Sequence, residues 1–300
     1  SFFARVYPHL PCNGLNIYER KCLMQYYCPV KRFLKRLFPI LFIAAFLLTI
    51  YGYLESRWLK TNRIEIAHTD IPENFKGKKI VFISDIHHGP LFSQKRVKKL
   101  VDRINKLEPD IVLMGGDYIH WYPKNVHTAF EELKNLSAKL GVYGVLGNSD
   151  HWQDPIQTQL LMNKSGFHLC ENNSFWVKDG SDSIKIGGVG DWVAGYQKLN
   201  RTTKDVIDEN FCILLFHHPD YLEALDDDRI DLTFSGHTHG GQVTFFALFA
   251  FYLPSKNGQK YRYGLVEKGN RISYISSGVG TVIPPIRFFC RPEIVEVTLK

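Results

Sequence analysis

Five times in this chain a short, apolar, largely β-branched run ends in side chains able to hold a cation or carry a proton. Lys79 to Ser84 (KIVFIS) leads into Asp85-Ile86-His87, Ile111 to Gly115 into Gly116-Asp117, and Val142 to Leu146 into Gly147-Asn148. The run CILLF leads into His217-His218-Pro219, and DLTFS into Gly236-His237-Thr238-His239-Gly240-Gly241. Runs of this length and composition are buried strands. Between them lie amphipathic stretches. Ser93 is placed to cap a helix whose buried face is Val97, Leu100, Val101, Ile104 and Leu107, and a second helix is expected over Val126 to Leu140. Further strands are expected at 184–189, 272–276 and 294–299. Strand–helix alternation followed by a strand-richer half predicts an α/β layered domain without internal repeats. In open α/β sheets ligands gather beyond the carboxyl ends of strands. Five such ends would therefore bring four His, two Asp and one Asn to one place.

Those residue types select the chemistry. Imidazole, carboxylate and amide oxygen without thiolate suit divalent ions of intermediate hardness, with manganese the first expectation and iron or zinc the alternatives. Seven ligands exceed one tetrahedral ion, and a carboxylate can bridge two ions about 3.5–4 Å apart. Such a pair can hold a bridging hydroxide for in-line attack at phosphorus. No C-x-x-C pair occurs among the six cysteines, so neither a zinc knuckle nor a redox motif is expected. Their unpaired scatter suits a reducing compartment.

The fragments Ser-Asp-Ile-His, Gly-Gly-Asp, Gly-Asn-x-Asp, His-x-Pro and Gly-His-Thr-His-Gly-Gly-Gln together resemble the five blocks of the calcineurin-like metallophosphoesterases. The similarity runs from about Ile64 to the C-terminus. It implies a four-layer α/β/β/α sandwich with a dinuclear centre, preceded here by an N-terminal membrane-associated helical segment. By position, Asp85, His87 and His239 would hold one metal, Asn148, His217 and His237 the other, and Asp117 would bridge them. Asn148, Asp150, His151 and His217 are the candidate catalytic residues. The third block departs from the family pattern, because Ser149 stands where a His usually contacts the phosphate and protonates the leaving group. His151, two positions on, is the candidate substitute. An alkoxide, whose parent pKa lies near 15.7, needs protonation, whereas a phosphate with a second pKa of about 6 does not. Ser149 therefore tilts the expected substrate towards a phosphoanhydride.

The flanking segments point to a membrane. Of 37 Lys and Arg against 30 Asp and Glu, residues 1–60 hold nine basic and two acidic side chains, which is the whole net +7. Residues 61–300 are neutral, so nucleic acid is not an expected partner. Leu37 to Leu54 is free of charge over eighteen residues, close to the roughly 20 that span a bilayer. It ends in Glu55-Ser56-Arg57-Trp58, not at a small-residue cleavage site, and is read as a membrane anchor, with a buried soluble helix the plainer alternative. With Pro39 inside it, the stretch either spans the bilayer or enters one leaflet and returns. Paired cations and apolar residues over Pro29 to Phe38 suit an anionic lipid surface. Two domains follow: a basic and apolar anchor over 1–60, and the metallophosphoesterase body over 61–300. Phe245 to Leu253, nine consecutive apolar residues, is read either as core strand or as an acyl-binding, membrane-dipping cap. Candidate substrate or membrane contacts are Phe245, Phe246, Phe249, Phe251, Trp152, Trp192 and Arg287.

Among membrane-associated members of that family, the chain resembles the UDP-2,3-diacylglucosamine pyrophosphatases of lipid A synthesis, of chlamydial type. The resemblance implies hydrolysis of a lipid-linked nucleotide sugar to diacylglucosamine 1-phosphate and UMP. That substrate places the body on the cytoplasmic face of the inner membrane. The excess of Lys and Arg before the apolar run, by contrast, would place it outside. A membrane-anchored phosphodiesterase acting on another lipid or wall phosphodiester is the alternative, and a non-catalytic scaffold is a third reading.

Overall fold

The structure is a computed structural model that describes residues 17–193, 195 and 197–300, with the backbone alone for residues 17–30. Of the six cysteines and the nine basic side chains counted above, Cys12 and Arg5 lie outside the described residues, as do the side chains of Cys22, Cys28, Arg20 and Lys21. The chain divides into two compact units, Ser1–Tyr51 and Gly52–Lys300.

Helix α1 (Ile17–Glu55) runs without interruption through Pro39. From Lys31 to Tyr51 its apolar side chains are exposed on every side, among them Phe38, Ile40, Phe42, Ile43, Phe46 and Leu47. A helix apolar all round is stable only where its surroundings are apolar too. Lys31–Glu55 is long and apolar enough to cross a membrane. At 1.5 Å per residue its 25 residues reach roughly 37 Å, more than the ~30 Å hydrocarbon layer.

The body contains two six-stranded sheets. In the first the order is β1 (Lys60–Ile66), β14 (Glu293–Leu299), β2 (Lys79–Ile83), β3 (Ile111–Met114), β4 (Val142–Gly144) and β5 (His168–Leu169). β2 to β5 are parallel, and β14 runs against β2. The second sheet has the order β12 (Gly264–Lys268), β13 (Arg271–Ile275), β9 (Leu232–Ser235), β8 (Cys212–Leu215), β7 (Asp182–Gly188) and β6 (Asn173–Asp179). Its four central strands are parallel.

The period-two alternation of the strands assigns each residue to a layer. Ile80 and Phe82 of β2 face the second sheet, packing with Ile184, Ile213 and Phe234. Val81 and Ile83 face outward onto Val97, Leu100, Val101 and Ile104 of α2 (Gln94–Asn105), and onto Val126 and Phe130 of α3 (Asn125–Leu133). Cys212 and Leu214 turn to the far side of the second sheet, against Tyr221, Leu222 and Leu225. The layers are therefore those expected of a four-layer sandwich. The expected helix over 126–140 stops at Leu133. Beyond it, Asn105 takes over the backbone: its side chain donates to Asn135 O (2.8 Å) and accepts from Ser137 N (3.0 Å).

The last turn of α1 belongs to the body. The buried Glu55 carboxylate accepts from the backbone N–H groups of Phe289 (3.1 Å) and Cys290 (2.7 Å), and Gly52 O accepts from Arg287 N (2.9 Å). Phe245 to Leu253 does not enter the core. It forms a small hairpin, β10 (Thr244–Phe245) and β11 (Phe249–Ala250), in which only Thr244 and Ala250 are buried.

Candidate metal centre

All five polar fragments meet at the carboxyl ends of β2, β3, β4, β8 and β9. Two groups of three ligand atoms form, each within 4.8 Å: Asp85, His87 and His239, and Asp117, His217 and His237. Asp117 Oδ2 sits between the groups, 3.4 Å from His87 Nε2 and 3.3 Å from His217 Nε2. Asp85 Oδ1 lies 3.5 Å from His239 Nε2. Asn148 brings up a buried amide oxygen with no hydrogen-bond partner. The structure thus assembles all seven residues selected as ligands.

The backbone is forced to hold them. Asp85, His87, Asp117, His237 and His239 all have φ between 49° and 67°. L-residues with side chains visit this region rarely, at a cost of order 1–3 kcal/mol each, and such outliers cluster where function demands them. Two glycines allow the close approach. A Cβ on Gly147 would stand 2.2 Å from Asp117 Oδ1, and one on Gly236 2.2 Å from Asp85 Oδ2.

Hydrogen bonds outside the cluster aim the rings inward. His217 Nδ1 donates to Gly115 O (2.7 Å) and His237 Nε2 to Pro254 O (3.0 Å), leaving His217 Nε2 and His237 Nδ1 facing one another at 3.3 Å. Second partners of this kind fix the tautomer of a metal-ligating imidazole. Burial holds His87 down at about 4, and holds His237 and His239 well below the usual imidazole range, so these three rings are neutral near pH 7. Burial pushes the Asp85 carboxyl up to about 6, with the nearby Asp117 charge adding to it. Burial also opposes the charged forms of Asp117 and His217, but their mutual attraction prevails. Asp117 is held well below the carboxylate range, and His217 is raised to about 10. Inward-facing neutral imidazoles, two buried carboxylates and an orphaned amide oxygen are a donor set that fits divalent cations.

The remaining expected site residues divide. Asp150 lies behind the site, where its carboxylate accepts from the backbone of Asp117 (2.8 Å), Tyr118 (2.9 Å) and Gly147 (3.0 Å). It is a positioning residue, not one that reaches substrate. Ser149 N and Oγ both donate to the Asp117 carboxylate, at 2.8 and 3.1 Å. His151 does not line the cavity over the cluster and pairs with Glu171 (3.0 Å), so it does not stand in for the missing family His. Arg287 corrects the expectation of a surface contact. It is wholly buried, and its guanidinium donates to the carbonyls of Ser277, Gly280 and Cys290 in the segment that backs the site. Trp192 packs on Tyr221 (ring centroids 5.8 Å) and does not line the cavity.

The cavity has a volume of 370 Å³, with the histidines at its floor and Trp152, Phe251, Tyr252, Ile283 and Pro284 on its walls. Phe245, Phe246 and Phe249 stand outside the lining, exposed on the hairpin, with the Phe246 ring 4.8 Å from that of Phe289. The sequence reading missed His120, which lines the cavity with its ring edge-on to His87 at 5.0 Å. It carries no motif, and only its place three residues after Asp117 at a strand end offered a signal.

Residues 78–241 match the family model described as calcineurin-like phosphoesterase. The chain is 33% identical over 284 residues to the metallophosphoesterase YkuE of Bacillus subtilis, covering 90% of this chain and 97% of that one. It is 28% identical over 267 residues to a Danio rerio "transmembrane protein with metallophosphoesterase domain", covering 84% of this chain and 60% of the relative. To the phosphodiesterase YaeI of Escherichia coli it is 26% identical over 251 residues, covering 82% and 90%.

Proposed function

Because this chain belongs to the calcineurin-like phosphoesterase family, we propose that it is a two-metal hydrolase of a lipid-linked phosphodiester or pyrophosphate at a membrane surface. The observation that carries the reading is the pair of three-residue ligand groups meeting at Asp117 beneath an apolar, aromatic-walled cavity. Asp85, His87 and His239 would hold one ion, His217, His237 and Asn148 the second, and Asp117 both. When bound, the ions would supply an activated water and neutralise charge on the phosphoryl oxygens. The chain's own residues do the rest. Asp150 fixes the Asp117 loop, and His217 and His237 are locked in their tautomers by Gly115 O and Pro254 O. Burial keeps the His120 imidazole neutral, so it offers an N–H to a phosphoryl oxygen from the cavity wall.

Ser149 is committed to Asp117 and has no proton for a leaving group. This favours a leaving group that departs as a phosphate, as in a nucleotide-linked pyrophosphate. Phe251, Tyr252 and Ile283 suit an acyl chain beside the reacting phosphorus. UDP-2,3-diacylglucosamine, cleaved to diacylglucosamine 1-phosphate and UMP at the cytoplasmic face of the inner membrane, satisfies these requirements together. The test is UMP release by the manganese-loaded full chain. Release from the acylated UDP-glucosamine, with at least tenfold less from the deacylated analogue, supports the reading. Equal rates on both would remove the lipid from it. No UMP from either, with turnover of bis(p-nitrophenyl) phosphate, would leave a phosphodiesterase of other specificity, the activity named for YaeI.

A further inference from the structure

A second cavity, of 360 Å³, shares no lining residue with the one over the histidines and is surrounded by four cations: Arg57, Arg96, Lys99 and Arg103. Among the described residues none of the four forms an ion pair with a carboxylate. The acids and bases next to them pair elsewhere, Lys98 with Asp102 (3.2 Å) for example. The guanidinium groups are held in place instead by neutral groups. Arg96 donates to Leu91 O (2.8 Å) and Ser56 O (3.3 Å), and Arg103 to Leu59 O (2.8 Å) and Thr61 Oγ1 (2.9 Å). Arg57 lies over the Tyr53 ring at 4.1 Å, and Arg96 over Phe92 at 4.0 Å. Pre-placed cations without counter-charge repel one another and are relieved by an anion. In keeping with this, burial and then the charge of Arg57 lower Arg96 to about 10. Guanidinium forks match phosphate oxygens in pairs.

The place in the chain identifies the anion. Arg57 follows the end of α1 at Glu55 by two residues, and the uncharged run Leu37–Leu54 by three. Trp58, beside it, is exposed, with Arg291 stacked on its ring at 4.1 Å. Aromatic and basic residues at the end of an apolar helix stand at headgroup level. Leu59, Phe92, Leu100 and Val279 complete the lining with apolar surface. We propose that this cavity binds the phosphodiester headgroup of an anionic phospholipid, which fixes the body at the membrane independently of its substrate.

The test titrates the full chain, in neutral detergent, with dioctanoyl phosphatidylglycerol, dioctanoyl phosphatidylcholine and inorganic phosphate, following binding by native mass spectrometry. Phosphatidylglycerol is expected to bind at least tenfold more tightly than phosphatidylcholine. Arg57→Gln/Lys99→Gln should lose about thirtyfold in phosphatidylglycerol affinity, which corresponds to about 1 kcal/mol per basic group near an anionic headgroup. Thermal midpoint and hydrolysis of a soluble diester should stay unchanged, and Arg57→Lys/Lys99→Arg should keep the affinity. Equal binding of the two lipids by the wild-type chain would overturn the proposal, whatever the variants do. Displacement of phosphatidylglycerol by an equal concentration of inorganic phosphate would overturn it too, making this a site for free phosphate.

Discussion

Gly147→Ala tests the close packing of the centre with one methyl group. Gly147 has φ −103° and ψ 176°, which any L-residue adopts, so backbone strain plays no part. The added Cβ, however, would stand 2.2 Å from Asp117 Oδ1 and 2.6 Å from Asp117 N, where ordinary contact begins near 3.4 Å. The carboxylate between the two ligand groups must therefore retreat by about 1 Å. A displacement of that size at a reacting centre costs on the order of 100-fold in rate. Measured as kcat/KM on bis(p-nitrophenyl) phosphate with saturating manganese, Gly147→Ala should lose about 100-fold or more, with less metal retained after desalting. Gly166→Ala is the control: its φ is +76°, and nothing lies within 4 Å of the new Cβ. It should cost about 1 kcal/mol of stability and leave the rate unchanged. Wild-type rate and metal content in Gly147→Ala would refute the placement of Asp117 at the centre.

Other expectations follow from single residues. Arg287→Ala leaves buried carbonyls at Ser277, Gly280 and Cys290 without their donor, and should cost on the order of 3 kcal/mol in denaturant unfolding. An unchanged midpoint would contradict the structural role given to it. His120→Ala should raise KM for a diester about tenfold with a smaller change in kcat; an unaltered KM would remove it from the substrate. Phe246→Glu/Phe249→Glu, on the exposed hairpin, should lower kcat/KM for an acylated substrate at least tenfold while sparing bis(p-nitrophenyl) phosphate. Equal losses on both would point to misfolding. Burial raises the Asp231 carboxyl to about 6, in an environment that also contains His68, Asp70 and Arg271. A raised carboxyl stabilises the fold below the unfolded pKa, and that contribution is lost as pH rises through about 6, by roughly 3 kcal/mol at most. Asp231→Asn, whose amide oxygen can still accept from Cys212 N, should therefore raise the thermal midpoint at pH 7 and leave it near wild type at pH 4. A gain of equal size at both pH values would show that the charge is not the cause.

The seven ligand candidates were legible because each stands directly beyond an apolar run, where periodicity and residue chemistry coincide. Lys60–Ile66 and Gly264–Lys268 were not read as strands. Their polar sequences, KTNRIEI and GLVEK, carry little apolar signal, and pairing with β14 and β13 makes them strands. Arg287 was misread because a cage of carbonyls, mostly from Ser277 to Gly280 and Cys290, decides its burial, and no local pattern announces such a cage. His151 failed for a similar reason. Sequence nearness placed it by the phosphate, while the turn of α4 (Asn148–Gln153) carries its ring to Glu171.

The most direct measurement is metal-dependent turnover by the full chain after chelation. Stripped protein is titrated with manganese while hydrolysis of bis(p-nitrophenyl) phosphate and bound metal are followed together. The expected result is negligible turnover without metal, and activity that rises to a plateau at two ions per chain. In Asp117→Asn turnover should fall at least 100-fold at every manganese level. Full turnover in the presence of chelator, or a plateau at one ion with Asp117→Asn unaffected, would contradict a two-metal centre at these strand ends.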